Sequence, residues 1–283
     1  MDKRILLLTD FSKNALNAAR YALDLYSDRK CSFYVLNTYG VDGESIDGDA
    51  YRTETGQRFY DIEKPDTEER FENFVQMLRM HCENPKHTYQ TIATHDSLLG
   101  GVKDVIAKND IDIIIMGAKG MTGSRTVIFG MNTLNIMEKV TECPVLAIPE
   151  DISFTPPKEI VFPTDFKKPF KRRELKYLIN IAQMHDALIR VLHVKESDKL
   201  DQVQQGNKEL LETLFKGVGH SFHELEGMTV QSGIDTFIDS RNSDIIAFVK
   251  YKRNFFSKMV SQPLVKKLGY QSRLPVLVLQ NRT

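Results

Sequence analysis

A chain that repeats itself in the same order is constrained to fold as two copies of one unit, and this sequence does so at three places. RILLLTDF at residues 4–11 returns as EIVFPTDF at 159–166, DIIIMG at 112–117 as DIIAFV at 244–249, and CPVLAIP at 143–149 as LPVLVLQ at 274–280. The 283 residues suit two domains, at roughly 150 residues each.

Within the first copy, short apolar runs bounded by turn residues alternate with stretches of helical period, the pattern of βαβ units and a parallel sheet. Strands are expected near residues 4–9, 31–38, 88–94, 111–116 and 144–148, and helices near 13–28, 66–82, 97–109 and 131–141. The run IDIIIMG is apolar without alternation, as a central strand covered on both faces requires. The second copy places strands near 158–163, 188–194, 219–226, 244–249 and 275–279. EDISFTPPK between the copies carries a Pro-Pro pair that cannot continue a ladder and favours an extended linker. The expected fold class is therefore α/β, two tandem open, doubly wound, five-stranded parallel-sheet domains at 1–150 and 158–283, joined by a linker at 151–157. Residues 40–65 read as an irregular segment, either a lid or a partner-binding loop.

Chemistry concentrates at the carboxyl edge of the first sheet, where open α/β folds bind ligands. Directly after the strand that ends at Met116 comes GAKGMTGSRTVIFGMNT, in which Gly117, Gly120 and Gly130 are spaced G-x2-G-x9-G. Glycines admit close approach of backbone to a phosphate, and the amides of Gly130, Met131 and Asn132 open a helix, where anions bind readily. At the matching end of the first strand stand Thr9, Asp10 and Phe11, with Ser12 placed to cap the next helix. The Asp10 carboxylate suits a ribose hydroxyl or an adenine amino group. Thr38 and Tyr39 end the second strand and would wall a base.

These residues resemble the universal stress protein family, and the resemblance covers essentially the whole chain, twice. ATP-binding members carry an Asp after the first strand and a G-x2-G-x9-G-[S/T] loop after the fourth. The resemblance implies that Asp10 meets the base end of ATP, ADP or AMP, while Gly117, Gly120, Gly130 and the amides after it hold ribose and phosphates. Met131 stands where the family has Ser or Thr, so a hydroxyl that could meet phosphate or Mg²⁺ is missing. The resemblance also implies pairing through the last strand, here internally between CPVLAIP and LPVLVLQ, with a homodimer as a further step. Its expected role is regulatory, occupancy being read by a regulatory protein; a slow ATPase and a ligand-free scaffold are the alternatives. For an ATPase, only Lys119, Ser124 and Arg125 are polar candidates in the loop, and no catalytic base is assigned.

The second copy lacks the loop. DIIAFVKYKRNFFSKMVSQPLVKK at 244–267 contains no glycine, with Val249 and Lys252 where Gly117 and Gly120 would align. A β-carbon there obstructs a phosphate, so no nucleotide is expected in this half, and Asp165 reads as a helix-start residue. Lys250, Lys252 and Arg253 read as a solvated charged face able to attract an anion.

Other signals are weaker. His220 and His223 lie three apart on an expected strand, hence on opposite faces, and no metal site is assigned to them. His81, Cys82 and His87 read as a cationic helix end. GVDGESIDGDA at 40–50 lacks a calcium-loop register, and KKPFKRRELK at 167–176 is basic at an expected helix start. A formal net charge of +0 provides no field for nucleic acid. No run approaches the roughly 18 apolar residues of a membrane span, and MDKRILLLTDF does not read as a signal peptide, so a cytoplasmic location is expected. The three cysteines read as reduced packing residues.

Overall fold

The computed structural model describes residues 2–39, 56–119, 129–195, 199–250 and 274–281. Gly120 to Ile128, residues 40–55, and Lys252 and Arg253 therefore lie outside the described residues, as do Ser124 and Arg125.

Among the described residues ten strands form one sheet in the order β3-β2-β1-β4-β5-β10-β9-β6-β7-β8. The first five are β1 (Lys3–Leu8), β2 (Cys31–Thr38), β3 (His87–Thr94), β4 (Ile113–Gly117) and β5 (Val145–Ile148). The last five are β6 (Glu159–Pro163), β7 (Leu188–Val194), β8 (His220–Leu225), β9 (Ile245–Lys250) and β10 (Val276–Gln280). Neighbours pair in parallel within each set. At the seam β10 runs antiparallel to β5, with Leu277 opposite Leu146. Two tandem five-stranded parallel units thus meet through their last strands, CPVLAIP against LPVLVLQ.

The helices are α1 (Lys13–Leu25), α2 (Gly56–His81), α3 (Leu98–Asn109), α4 (Met131–Lys139), α5 (Arg172–His185), α6 (Gln202–Leu214) and α7 (Val230–Arg241). Apolar spacing decides which face each covers: Ala15, Ala18, Ala19 and Ala22 make the i, i+3, i+4, i+7 stripe by which α1 meets the sheet. α1, α2, α5 and α6 pack on one face and α3, α4 and α7 on the other. Ile113, Ile114 and Ile115 of β4 are essentially inaccessible, as a strand covered on both faces must be. Each such side chain contributes about 1.5–3 kcal/mol of burial.

Of the irregular segment expected at 40–65, the part from Gly56 onward is helical. α2 begins at Gly56 and runs through Pro65, whereas the expected helix starts at residue 66, beyond a proline that ordinarily breaks helices. The turns that follow bury Thr67, Phe71, Phe74 and Leu78, and that packing outweighs the hydrogen bond lost at Pro65. α1 and α4 end earlier than their patterns suggest, at Leu25 and Lys139.

The linker is tied to both units. Asn17 Nδ2 donates to the carbonyls of Pro149 (3.3 Å) and Ile152 (2.9 Å). The Phe154 ring packs edge-on against Tyr21 at 5.2 Å and beside His185 at 5.7 Å. His185 donates from Nε2 to the Leu25 carbonyl at 2.9 Å, and the Tyr177 hydroxyl donates to Asp112 Oδ1 at 2.9 Å. All three cysteines are free, and burial pushes the Cys31 thiol up to about 12, leaving it protonated and inert.

Candidate functional site

The chain leaves β1 towards β2 on one side and returns to β4 on the other, so the crevice between the carboxyl ends of β1 and β4 is the topological switch point. At the β1 side, Thr9 Oγ1 accepts the Phe11 amide at 2.9 Å and Asp10 Oδ1 accepts the Ser12 amide at 3.0 Å. This double turn puts Phe11 at φ 61°. Ser12 Oγ then caps α1 by accepting the Ala15 amide at 3.2 Å. Asn37 Nδ2, from the end of β2, donates to the Thr9 carbonyl at 2.8 Å. The Phe11 ring turns away onto α2, 5.1 Å from Phe71, with the Arg70 guanidinium 4.6 Å from its centre.

At the β4 side, Gly117 lies so close to α1 that a β-carbon would stand 3.2 Å from the backbone of Asn14 and of Lys119. The Thr133 hydroxyl donates to the Gly117 carbonyl at 3.1 Å, and the Gly130 amide to the Ala118 carbonyl at 2.8 Å. These bonds bring the start of α4 onto the end of β4. α1, α3, α6 and α7 each begin under a side-chain oxygen, from Ser12, Ser97, Asp201 and Thr229. α4 begins at Gly130 with no side-chain cap. Among the described residues no side-chain oxygen caps its first turn, whose amides lie at the switch point. Met131 and Asn132 are exposed there, Met131 by 82%.

The other wall is tight. A β-carbon on Gly101 of α3 would lie 2.9 Å from methyls of both Thr38 and Thr94, so the glycine lets α3 close against the ends of β2 and β3. The Tyr39 ring meets His95 edge-on at 5.8 Å. Thr9, Asp10, Thr38, Met116, Gly117, Gly130, Met131 and Asn132 thus lie along one edge. Thr133, Asn37, Thr94 and Gly101 join them, and the Gly100-Gly101 pair was the visible signal for that contact.

The corresponding edge of the second unit repeats the first turn and then fills it. Thr164 Oγ1 accepts the Phe166 amide at 3.0 Å, Asp165 Oδ1 accepts the Lys167 amide at 3.0 Å, and Phe166 sits at φ 54°. Side chains of α6 cover this turn: Gln204 Nε2 donates to the Asp165 carbonyl at 2.8 Å and Asn207 Nδ2 to the Phe166 carbonyl at 2.7 Å. His193 Nδ1 holds the Thr164 carbonyl at 2.9 Å, and Val249, at the position of Gly117, is buried. Lys250 is not a solvated cation: its ammonium lies against the carboxyl end of α4.

His220 faces Phe215, just past the end of α6, and His223 faces Phe237 of α7, opposite sides of the sheet as alternation requires. Among the described residues no group of three metal-binding side chains forms, and no helix is long and apolar enough to cross a membrane.

The sequence model of the universal stress protein family matches residues 1–149. The chain belongs to the universal stress protein family. No curated protein matches it in sequence. A universal stress protein from Archaeoglobus fulgidus DSM 4304 is similar over 98% of this chain and 96% of its own, at 18% identity and a TM-score of 0.71. A functionally unknown protein from Pseudomonas aeruginosa PAO1 is similar over 98% and 92%, at 16% identity and a TM-score of 0.58. The cytoplasmic domain of a prokaryotic cation chloride cotransporter is similar over 99% and 96%, at 11% identity and a TM-score of 0.55. At such identities the likeness is one of fold, and it spans both units of this universal stress protein.

Proposed function

We propose that this universal stress protein binds ATP or a related adenine nucleotide at the carboxyl edge of its first domain, residues 1–150, and that occupancy is read by a regulatory partner. The observation that carries this reading is the uncapped start of α4 at Gly130, at the switch point and tied to Gly117 through Thr133. Family members that bind ATP have an Asp after the first strand and the G-x2-G-x9-G loop, and here Asp10, Gly117, Gly120 and Gly130 stand at those places.

In this reading the amides of Gly130, Met131 and Asn132 hold phosphate, Asp10 and Thr38 border the base and ribose, and Phe11 contributes through the turn it shapes. Mg²⁺ enters with the nucleotide, since Met131 has no hydroxyl to offer it and the Thr133 hydroxyl is engaged with Gly117. The second domain, residues 158–283 beyond a 151–157 linker, takes no nucleotide, because α6 side chains and Val249 occupy the equivalent edge.

Equilibrium dialysis of the full chain against ATP tests this. About one site per chain is expected, lost in Gly117→Val, whose side chain meets the Asn14 backbone, and weakened in Asp10→Ala. Absence of binding at millimolar ATP overturns the reading, and two equal sites overturn its asymmetry.

A further inference from the structure

α4 has nine residues, a length at which an isolated helix is marginal in water. What fastens its two ends therefore decides how firmly its first turn is presented. The first unit fastens its start, through Gly130 to Ala118 at 2.8 Å and Thr133 to Gly117 at 3.1 Å. The second unit fastens its end. Lys250, the last residue of β9, donates from Nζ to the carbonyls of Met137 (3.2 Å), Glu138 (2.6 Å) and Val140 (2.9 Å).

An ammonium has three protons, and here three carbonyls at a helix end, where helical partners run out, take them. The charge also sits at the negative end of the helix dipole. Burial lowers the Lys250 pKa while Glu138 and Glu142 oppose that fall. By the repeat, DIIIMGA against DIIAFVK, Lys250 occupies the position of Ala118. The same position of the unit thus holds the start of α4 in one copy and the end of α4 in the other.

We propose that Lys250 is a positioning residue for nucleotide binding in the first unit, so that the unit without a phosphate loop sets the affinity of the unit that has one. This rests on the reading that phosphate sits on the first turn of α4. A helix frayed at its carboxyl end loses order and dipole along its whole short length, and the amides at Gly130, Met131 and Asn132 lose their fixed aim. Linkage makes the effect reciprocal: bound nucleotide holds α4 against Lys250 and through it the end of β9.

The test is calorimetric titration of the full chain with ATP, with hydrogen exchange of residues 129–141 followed in the same samples. Lys250→Met keeps the stem and removes the charge. It is expected to weaken ATP binding about five- to tenfold and to speed exchange at the end of α4. Lys250→Arg, which restores charge and donors, is expected to bind within about twofold of the native chain. Full affinity in Lys250→Met, or an arginine variant as weak as the methionine one, overturns the proposal. Should Lys250→Met not fold, Lys250→Gln is read against the same limits. A native chain that binds no ATP overturns the parent reading instead; α4 exchange unchanged between native and Lys250→Met then overturns the clamp separately.

Discussion

Glu159 grips Arg241 with both carboxylate oxygens, Nε to Oε1 at 2.7 Å and Nη2 to Oε2 at 2.8 Å. Arg190 Nε reaches Oε2 at 2.7 Å and Ser243 Oγ reaches Oε1 at 3.1 Å. The first residue of β6 thereby joins β7, the end of α7 and the approach to β9. Burial by itself raises this carboxyl, but hydrogen bonds from Arg241, Arg190 and Ser243 outweigh burial and hold it at about 2.

Acid should dismantle this cluster. With the carboxyl at 4.5 when unfolded and about 2 when folded, its stabilisation is complete above pH 4.5 and is lost as pH falls through about 2. Glu159→Gln is expected to cost about 2–3 kcal/mol at pH 7. Urea melts at pH 7 and pH 3 should show the gap between variant and native chain narrowing at the lower pH; a constant gap would refute the assignment.

Two histidines move in the same direction at milder pH. Burial lowers the pKa of His87, as does Lys86, against a raising hydrogen bond to Tyr26; burial, then Arg241 and Arg190, lower that of His223. A folded pKa below the unfolded value of about 6.5 means stability is complete above that pH and drains as pH falls towards the folded value. Between pH 7.5 and 5.5 the native chain should lose more stability than a His87→Gln, His223→Gln double variant, as read by thermal melts.

Glycines separate into those that permit a close contact and those that do not. Gly101→Val should cost about 1–3 kcal/mol, because its side chain enters the methyls of Thr38 and Thr94, and Gly233→Ala should also destabilise, since its β-carbon would lie 2.6 Å from Val194. Gly206, inside α6, has nothing within 4 Å of a β-carbon, so Gly206→Ala should stabilise by about 0.5–1 kcal/mol. Urea midpoints moving in opposite directions would bear this out.

The repeat makes a prediction about equivalent carboxylates. Asp112 Oδ2 accepts the Arg4 amide at 3.0 Å, and Asp244 Oδ2 accepts the Glu159 amide at 2.9 Å. Asp112→Ala and Asp244→Ala should each cost about 1–3 kcal/mol, with Tyr177→Phe, which frees a hydrogen bond of Asp112 alone, costing about 1 kcal/mol or less. A cost at only one of the two aspartates, measured by denaturant titration, would contradict their equivalence.

Much of this architecture was legible because local chemistry repeats with the sequence. Thr-Asp-Phe makes the same turn twice, with Phe11 and Phe166 both at positive φ, and Asp112 and Asp244 tie the same amide. Other features depend on what the fold brings together. Nothing around Pro65 announces a helix that continues through it, since the supporting packing comes from Phe71, Phe74 and Leu78 several turns on. Phe11 reads as a nucleotide-binding residue at the end of the first strand, yet its ring is taken up by α2. Lys250 reads as surface charge because its partners, more than a hundred residues earlier, become neighbours only across the seam.

Among the described strands, direction reverses only where β5 meets β10. The carboxyl edge of one unit is therefore carried to the far rim of the sheet from the carboxyl edge of the other. Whatever settles at Gly130 and whatever approaches the basic run at Lys167 to Arg173 work from opposite poles and share no mouth. Communication between them has to pass through the body of the protein, and Lys250 stands where such a route crosses the midline.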